Sequence, residues 1–223
     1  MHSMFRVLKP HSLLLSLMAL LLSSQASAQG MPGTENGEWR YLGGDSGNTR
    51  YSPLNQINAE NFSDLEQAWI WRSDNFGPNL DYFSRSTPVY VDGMLYTVAT
   101  PRRQVIAMDP ATGENIWTFR EPATVRHQRS PRQAYGKGVA YAEVDGRGVV
   151  YITTPGFFLW ALDAKTGRPL ENWGEPIALD GFEQSGGIDL IPKLVEDWGP
   201  WQDYLVAGGS YDPDYGIPRE LGM

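Results

Sequence analysis

The chain of 223 residues contains no cysteine. That removes disulfide frameworks, thiolate zinc sites, thiol nucleophiles and covalent c-type haem from consideration. Histidine is nearly as scarce, with 3 in all: His2, His11 and His127. Basic side chains are in deficit, 18 against 26 acidic for a net charge of −8. This is the opposite of the basic surplus with which proteins engage nucleic acid, and it argues against a nucleic-acid partner. Only 20% of residues are charged while Gly and Pro number 24 and 16, the wrong composition for a helical bundle or coiled coil. Neither a G-x-S-x-G elbow nor a phosphate-cradling G-x-x-x-x-G-K-[ST] loop occurs. Aromatic residues, by contrast, make up 12% of the chain, enough to build a sizeable core and to argue against disorder.

Residues 1–28 read as a targeting segment. Arg6 and Lys9 make a positive start, residues 13–22 are largely apolar, and Ala26-Ser27-Ala28 is a small-residue cleavage site. The apolar run is short for a ~30 Å hydrocarbon layer, so no stable membrane span is expected in the mature chain; the alternative is an uncleaved N-terminal anchor. Removing the segment leaves 16 basic against 26 acidic side chains, a net −10, and only His127 as a histidine. A multi-histidine metal site is then impossible in residues 29–223, and a serine–histidine hydrolase would depend on one imidazole. An exported, thiol-free chain fits the bacterial periplasm, where thiols risk oxidation.

The residues that follow repeat themselves. Ala107-Met108-Asp109-Pro110-Ala111-Thr112-Gly113 recurs 54 positions later as Ala161-Leu162-Asp163-Ala164-Lys165-Thr166-Gly167. A tryptophan follows each copy, Trp117 four residues after the first glycine and Trp173 six after the second. Before each copy lies a strand–turn–strand pattern, residues 88–98 around Asp92-Gly93 and residues 139–152 around Asp145-Gly146. Val, Tyr and Ile enrichment suits short half-buried strands, while the aspartates can cap backbone N–H groups and the glycines accept positive φ. Each tryptophan is suited to wedging between neighbouring units. A third unit begins at Pro192-Lys193-Leu194-Val195 and continues through residues 204–209, without a third closing turn.

A repeat of about 40–55 residues with some four strands per unit predicts an all-β chain, a partial β-propeller. Two similar hairpins in an ordinary β-sandwich are the alternative. A propeller closes by joining its first and last blades, which about two to three blades cannot do. Residues 29–223 are therefore expected to be the N-terminal part of a longer propeller domain.

Trp39-Arg40-Tyr41-Leu42-Gly43-Gly44-Asp45-Ser46-Gly47-Asn48-Thr49-Arg50-Tyr51-Ser52-Pro53-Leu54-Asn55-Gln56-Ile57-Asn58 is dense in turn formers. It resembles the N-terminal signature of the quinoprotein alcohol and glucose dehydrogenases, which use pyrroloquinoline quinone (PQQ). The two A-x-D-x-x-T-G turns resemble that family's tryptophan-docking motifs, and only the first keeps the G-x-x-x-W ending. Lys137-Gly138-Val139-Ala140-Tyr141 resembles the family's R-G-V-A-Y segment. The likeness runs from about residue 38 to residue 209.

The resemblance implies an eight-bladed propeller with PQQ on its axis, a calcium ion beside it, and an aspartate acting as base. It places Lys137 where the family has a quinone-contacting arginine, keeping the positive charge but not the bidentate fork. Read alone, Lys137 is equally a solvated surface lysine. Arg85, in Arg85-Ser86-Thr87-Pro88, stands where the family often has a glutamate touching the quinone, and could pair with a cofactor carboxylate instead. Asp212, after the glycine/serine-rich residues 206–211, resembles a calcium ligand, a hard oxygen donor as that ion requires. Its other reading is an Asx-turn residue before Pro213. The base and the remaining calcium ligands would lie beyond Met223, and the vicinal cysteine pair of some family members is absent.

Arg126, Arg129 and Arg132 with His127 form a basic patch, read either as steering an anionic cofactor or as a solvated loop. Asp197-Trp198-Gly199-Pro200-Trp201 reads as a turn with packing aromatics. The expected function is periplasmic oxidation of an alcohol or sugar with an unidentified electron acceptor, the segment alone being inactive. The rival is a non-catalytic propeller scaffold of the outer-membrane assembly type, and a third reading is an extracellular sugar-binding domain.

Overall fold

The computed structural model describes residues 32–76, 85–100, 102–128, 130, 138–177, 186–192, 211–212 and 217–218. Strands β1 (Val89–Val91), β2 (Met94–Ala99), β3 (Gln104–Met108) and β4 (Asn115–Phe119) form one antiparallel sheet in sequence order. Strands β5 (Ala140–Val144), β6 (Arg147–Thr153), β7 (Phe158–Asp163) and β8 (Gly187–Asp189) form a second. A short helix, α1 (Val125–Gln128), lies in the connection between them. β9 (Tyr211–Asp212) and β10 (Ile217–Pro218) pair as a small hairpin. Most of the third unit expected after Pro192 lies outside the described residues.

Local chemistry sets the turns. Asp92-Gly93 joins β1 to β2 and Asp145-Gly146 joins β5 to β6, with φ of 50° and 75° in the first pair and 52° and 74° in the second. Two successive positive φ values are those of the hairpin turn whose twist matches the strands it connects. In the repeated turns the Asp109 carboxylate accepts the N–H groups of Ala111 (2.7 Å) and Thr112 (2.9 Å). Asp163 likewise accepts those of Lys165 (3.1 Å) and Thr166 (2.9 Å). Both turns close by an N–H···O bond of 2.8 Å, from Gly113 to Asp109 and from Gly167 to Asp163.

The two sheets pack face to face. Val89, Val91, Tyr96, Val98, Val105, Ala107, Trp117 and Phe119 of the first meet Tyr141, Val150, Ile152, Phe158, Trp160 and Leu162 of the second in one core. β3 is buried along its whole length: its alternate residues Ile106 and Met108 face the other way, under Trp69, Trp71 and Phe76. A strand covered on both faces belongs to a stack of sheets, which is how blades sit in a propeller. The free edge of β1 is covered by Trp39, whose backbone exchanges two hydrogen bonds with Tyr90 at 2.8 and 3.0 Å.

The second sheet departs from the first at its outer strand. Residues 168–170 pair with the end of β7, through Asp163 N–H to Arg168 O and Leu170 N–H to Ala161 O at 2.8 Å each. The chain then leaves and returns as β8, which pairs with the beginning of β7. The outer strand is thus interrupted by an excursion. Trp173 lies in that excursion and packs on Tyr151 of its own sheet, ring centroids 5.7 Å apart. The expectation that each tryptophan wedges between units holds for Trp117; the unit that Trp173 would enter lies outside the described residues.

Candidate cofactor-binding site

In an antiparallel meander the β2–β3 and β6–β7 turns and the starts of β1 and β5 all fall at one end of the sheets. There the start of β5 packs on the approach to β1: a Cβ on Gly138 (φ +124°) would lie 3.1 Å from the Thr87 carbonyl oxygen. Ser86 pins that approach, its hydroxyl accepting the Val98 N–H at 3.2 Å and lying 3.3 Å from the Thr97 hydroxyl. A cavity of about 550 Å³ opens beside it, lined by Trp39, Leu42, Arg50, Arg85 and Thr87. Among the described residues two guanidinium groups and no carboxylate line it, a positive recess on an acidic chain that suits an anionic ligand.

The signature loop builds one wall. Buried Asp45 accepts the N–H groups of Gly47 (2.9 Å) and Thr49 (3.0 Å), and also the Thr49 hydroxyl. Those bonds, the Thr49 hydroxyl foremost, hold its carboxyl below the usual aspartate range. Arg50, next in the chain, is fixed by its N–H to Gly43 O at 2.9 Å in a left-handed conformation, φ +57°. The loop closes tightly enough that a Cβ on Gly43 would sit 2.3 Å from Asn48 Oδ1.

At the same end, Glu121 is buried and its Oε1 accepts the Gly156 N–H at 2.8 Å. His127 Nε2 lies 3.9 Å from that oxygen. Burial, then the charges of Arg102 and Arg120, push the imidazole pKa down, so His127 is neutral near pH 7. The Glu121–Gly156 bond ties the exit of β4 to the β6–β7 turn, with His127 of α1 beside it. His127 is therefore an interior residue and not part of a surface basic patch; the side chain of Arg126, together with Arg129 and Arg132, lies outside the described residues.

Of the expected site residues, Arg85 is exposed and lines the cavity. Lys137 lies outside the described residues, one position before Gly138. Asp212 sits in β9 opposite Ile217, and its side chain is not described. Among the described residues no group of three or more His, Asp or Glu side chains could hold a metal, and no helix is long and apolar enough to cross a membrane. The cavity's donors fit a polycarboxylate such as PQQ; a calcium donor set is not found among the described side chains. Sequence reading missed Trp69, whose indole N–H donates to Pro110 O at 3.0 Å, as Trp117 does to Ala164 O at 2.9 Å. It also passed over Arg50 inside the quoted signature, because loop spacing carries no signal of which side chains share a recess.

Residues 39–189 match the family described as the PQQ glucose/ethanol/alcohol dehydrogenase, beta-propeller domain. The chain is 34% identical over 207 residues to the 1-butanol dehydrogenase (cytochrome c) of Thauera butanivorans, covering 90% of this chain and 27% of that one. It is 35% identical over 183 residues to the quinohemoprotein alcohol dehydrogenase ADH IIB of Pseudomonas putida, covering 81% and 25%. Among solved structures, the quinohemoprotein alcohol dehydrogenase of Comamonas testosteroni superposes with a TM-score of 0.50 at 34% identity, over 61% of this chain and 19% of that one. The chain thus spans about a quarter of the length of the curated relatives it matches.

Proposed function

As the chain belongs to the PQQ glucose/ethanol/alcohol dehydrogenase β-propeller family, we propose that it supplies part of the quinone cavity of a dehydrogenase that oxidises an alcohol or a sugar. The observation that carries this reading is the positive recess at the start of β1, with Arg85 on its wall. When bound, PQQ supplies the acceptor for the two electrons and two protons of the substrate C–H and O–H bonds. Arg85 would hold a cofactor carboxylate by a charge-assisted hydrogen bond, with Trp39 lining the same recess. Lys137, next to Gly138 in sequence and outside the described residues, is included in the proposal as a further cationic ligand of the cofactor.

The same proposal includes Asp212 as a calcium ligand, export to the periplasm with cleavage near Ala28, and residues 29–223 as the N-terminal part of a longer propeller that is inactive without the remainder. The relative named for cytochrome c makes a c-type cytochrome the first electron acceptor to try. The test is reconstitution of the full-length protein with PQQ and calcium, followed by dialysis, absorbance of retained quinone, and dye reduction with 1-butanol and glucose. Retained quinone with turnover of either substrate is expected. Neither retention nor turnover would leave the non-catalytic scaffold as the better reading.

A further inference from the structure

The geometry points to Arg50 as a carboxylate-binding side chain of the cavity it shares with Arg85, held in place by the Asp45 staple. The inference rests on the reading of the cavity as a quinone site and names a residue of the signature loop as part of it.

Three observations converge on Arg50. The first is location: Arg50 and Arg85 come from segments 35 positions apart in sequence and line one recess with Trp39, Leu42 and Thr87. The second is partnership. Arg40 is bonded to Glu38, and Arg147 donates to Asp163 at 2.7 Å. The Arg50 guanidinium has no hydrogen-bond or ion-pair partner among the described residues, and its fixed bond is made by its backbone N–H. Arg50 is exposed, and its unpaired guanidinium on the lining of the recess is open to an external anion. The third is the cost of the loop. Asn48 and Arg50 both adopt left-handed φ, 54° and 57°, which disfavours residues other than glycine, while a buried carboxylate is spent on Gly47 and Thr49. Local strain held in this way by surrounding bonds is characteristic of binding sites.

The guanidinium fork suits one carboxylate of a planar polycarboxylate. Neither residue needs to move a proton, so the role is binding and orientation.

The test measures binding, not turnover, on the full-length protein. PQQ is titrated against wild type, Arg50→Gln and Arg50→Lys, with tryptophan fluorescence quenching as the readout and thermal melting as the fold control. Pyridine-2,6-dicarboxylate, which carries carboxylates without the quinone, is titrated in parallel. Arg50→Gln is expected to weaken both ligands about tenfold to a hundredfold at unchanged melting temperature, with Arg50→Lys intermediate. Equal affinity of wild type and Arg50→Gln for PQQ overturns the role of Arg50 and leaves the quinone site standing. Arg50-dependent binding of the dicarboxylate without any binding of PQQ keeps Arg50 as an anion ligand and removes the quinone reading. Binding of neither ligand by wild type overturns both.

Discussion

The two sheets carry the same turn and use it differently. The turn of the first sheet receives Trp69 from the segment before β1, with the indole ring over Gly113 and its N–H on Pro110 O. That of the second receives Trp117 from β4 of the first sheet, with its ring over Gly167 and its N–H on Ala164 O. Tyr96 adds a second donor to the Ala164 carbonyl at 3.1 Å, and burial keeps its phenol protonated by raising the pKa well above the ordinary tyrosine range. The tryptophan that follows a turn in sequence therefore docks on the next turn in space. At the second turn the motif joins the two sheets, and at the first it joins a sheet to the segment before β1. Trp173, carried by the excursion in the outer strand, packs on Tyr151, and the turn it would enter next lies outside the described residues.

The strongest way to break this comparison is to remove the two tryptophans that look alike in sequence. Trp117 is 9% exposed and joins both sheets, so Trp117→Ala should cost about 3–5 kcal/mol of unfolding free energy. Trp173→Ala, which loses a half-buried ring contact within one sheet, should cost about 1 kcal/mol. Denaturant midpoints of the two variants decide it; equal losses would mean that the excursion after Leu170 is itself such a junction. A finer instrument is alanine at the glycines. A Cβ on Gly167 would lie 2.4 Å from the Trp117 ring and one on Gly113 2.7 Å from Trp69, both at positive φ, whereas one on Gly93 meets nothing within 4 Å. Overpacking adds to left-handed strain at the first two, giving about 3 kcal/mol for Gly167→Ala and about 2 kcal/mol for Gly113→Ala, where the less buried Trp69 can shift. Strain alone remains at Gly93→Ala, about 1 kcal/mol. A Gly93 variant as damaging as the Gly167 one would undo the steric account.

What was legible in the sequence was what short-range chemistry decides. The Asp-Gly hairpins and the paired turns follow from an aspartate that can accept nearby N–H groups and a glycine that can turn left-handed, and both are complete within seven residues. The partial propeller and the family followed from their repetition and from the signature loop. The docking partner of Trp117 is 47 residues away, so the sequence told that a wedge existed but not what it entered. His127 was misplaced for the same reason: its arginine neighbours in sequence suggest a surface, while the carboxylate of Glu121, anchored 35 residues away at Gly156, belongs to the interior. The excursion that carries Trp173 was not legible either, because an insertion shifts register without changing composition. Arg50 and Arg85 form one recess only after Trp39 has paired with Tyr90 across 51 positions, a contact that no local pattern announces.

The smallest expected difference between the sheets is electrostatic and appears only in acid. Backbone N–H bonds from Thr112 and Ala111 hold Asp109 below its ordinary pKa of 3.8. At Asp163 burial works to raise the pKa, but bonds from Arg147 and Thr166 outweigh it and the net shift is again downward from 3.8. In both cases the unfolded chain binds a proton more readily than the folded one. The stabilisation is present above about pH 4 and is lost as pH falls through the lowered folded pKa. Asp163 differs from Asp109 by a bond from Arg147 Nε at 2.7 Å and by a firmer one from its threonine, the Thr166 hydroxyl at 2.9 Å, where the Thr112 hydroxyl is the weakest of the influences on Asp109. Arg147 is 59% exposed, so water screens that pair and Arg147→Gln should alter the melting temperature little. The hydroxyl is the better candidate for what distinguishes the two turns. Melting curves between about pH 5 and pH 2.5 should show a larger part of the acid-induced loss disappearing in Asp163→Asn than in Asp109→Asn. Thr166→Val should bring the two turns toward equality. If removing either aspartate flattens the acid limb to the same extent, the bonds that distinguish Asp163 contribute position but no charge selectivity, and the two turns differ only in the tryptophan they receive.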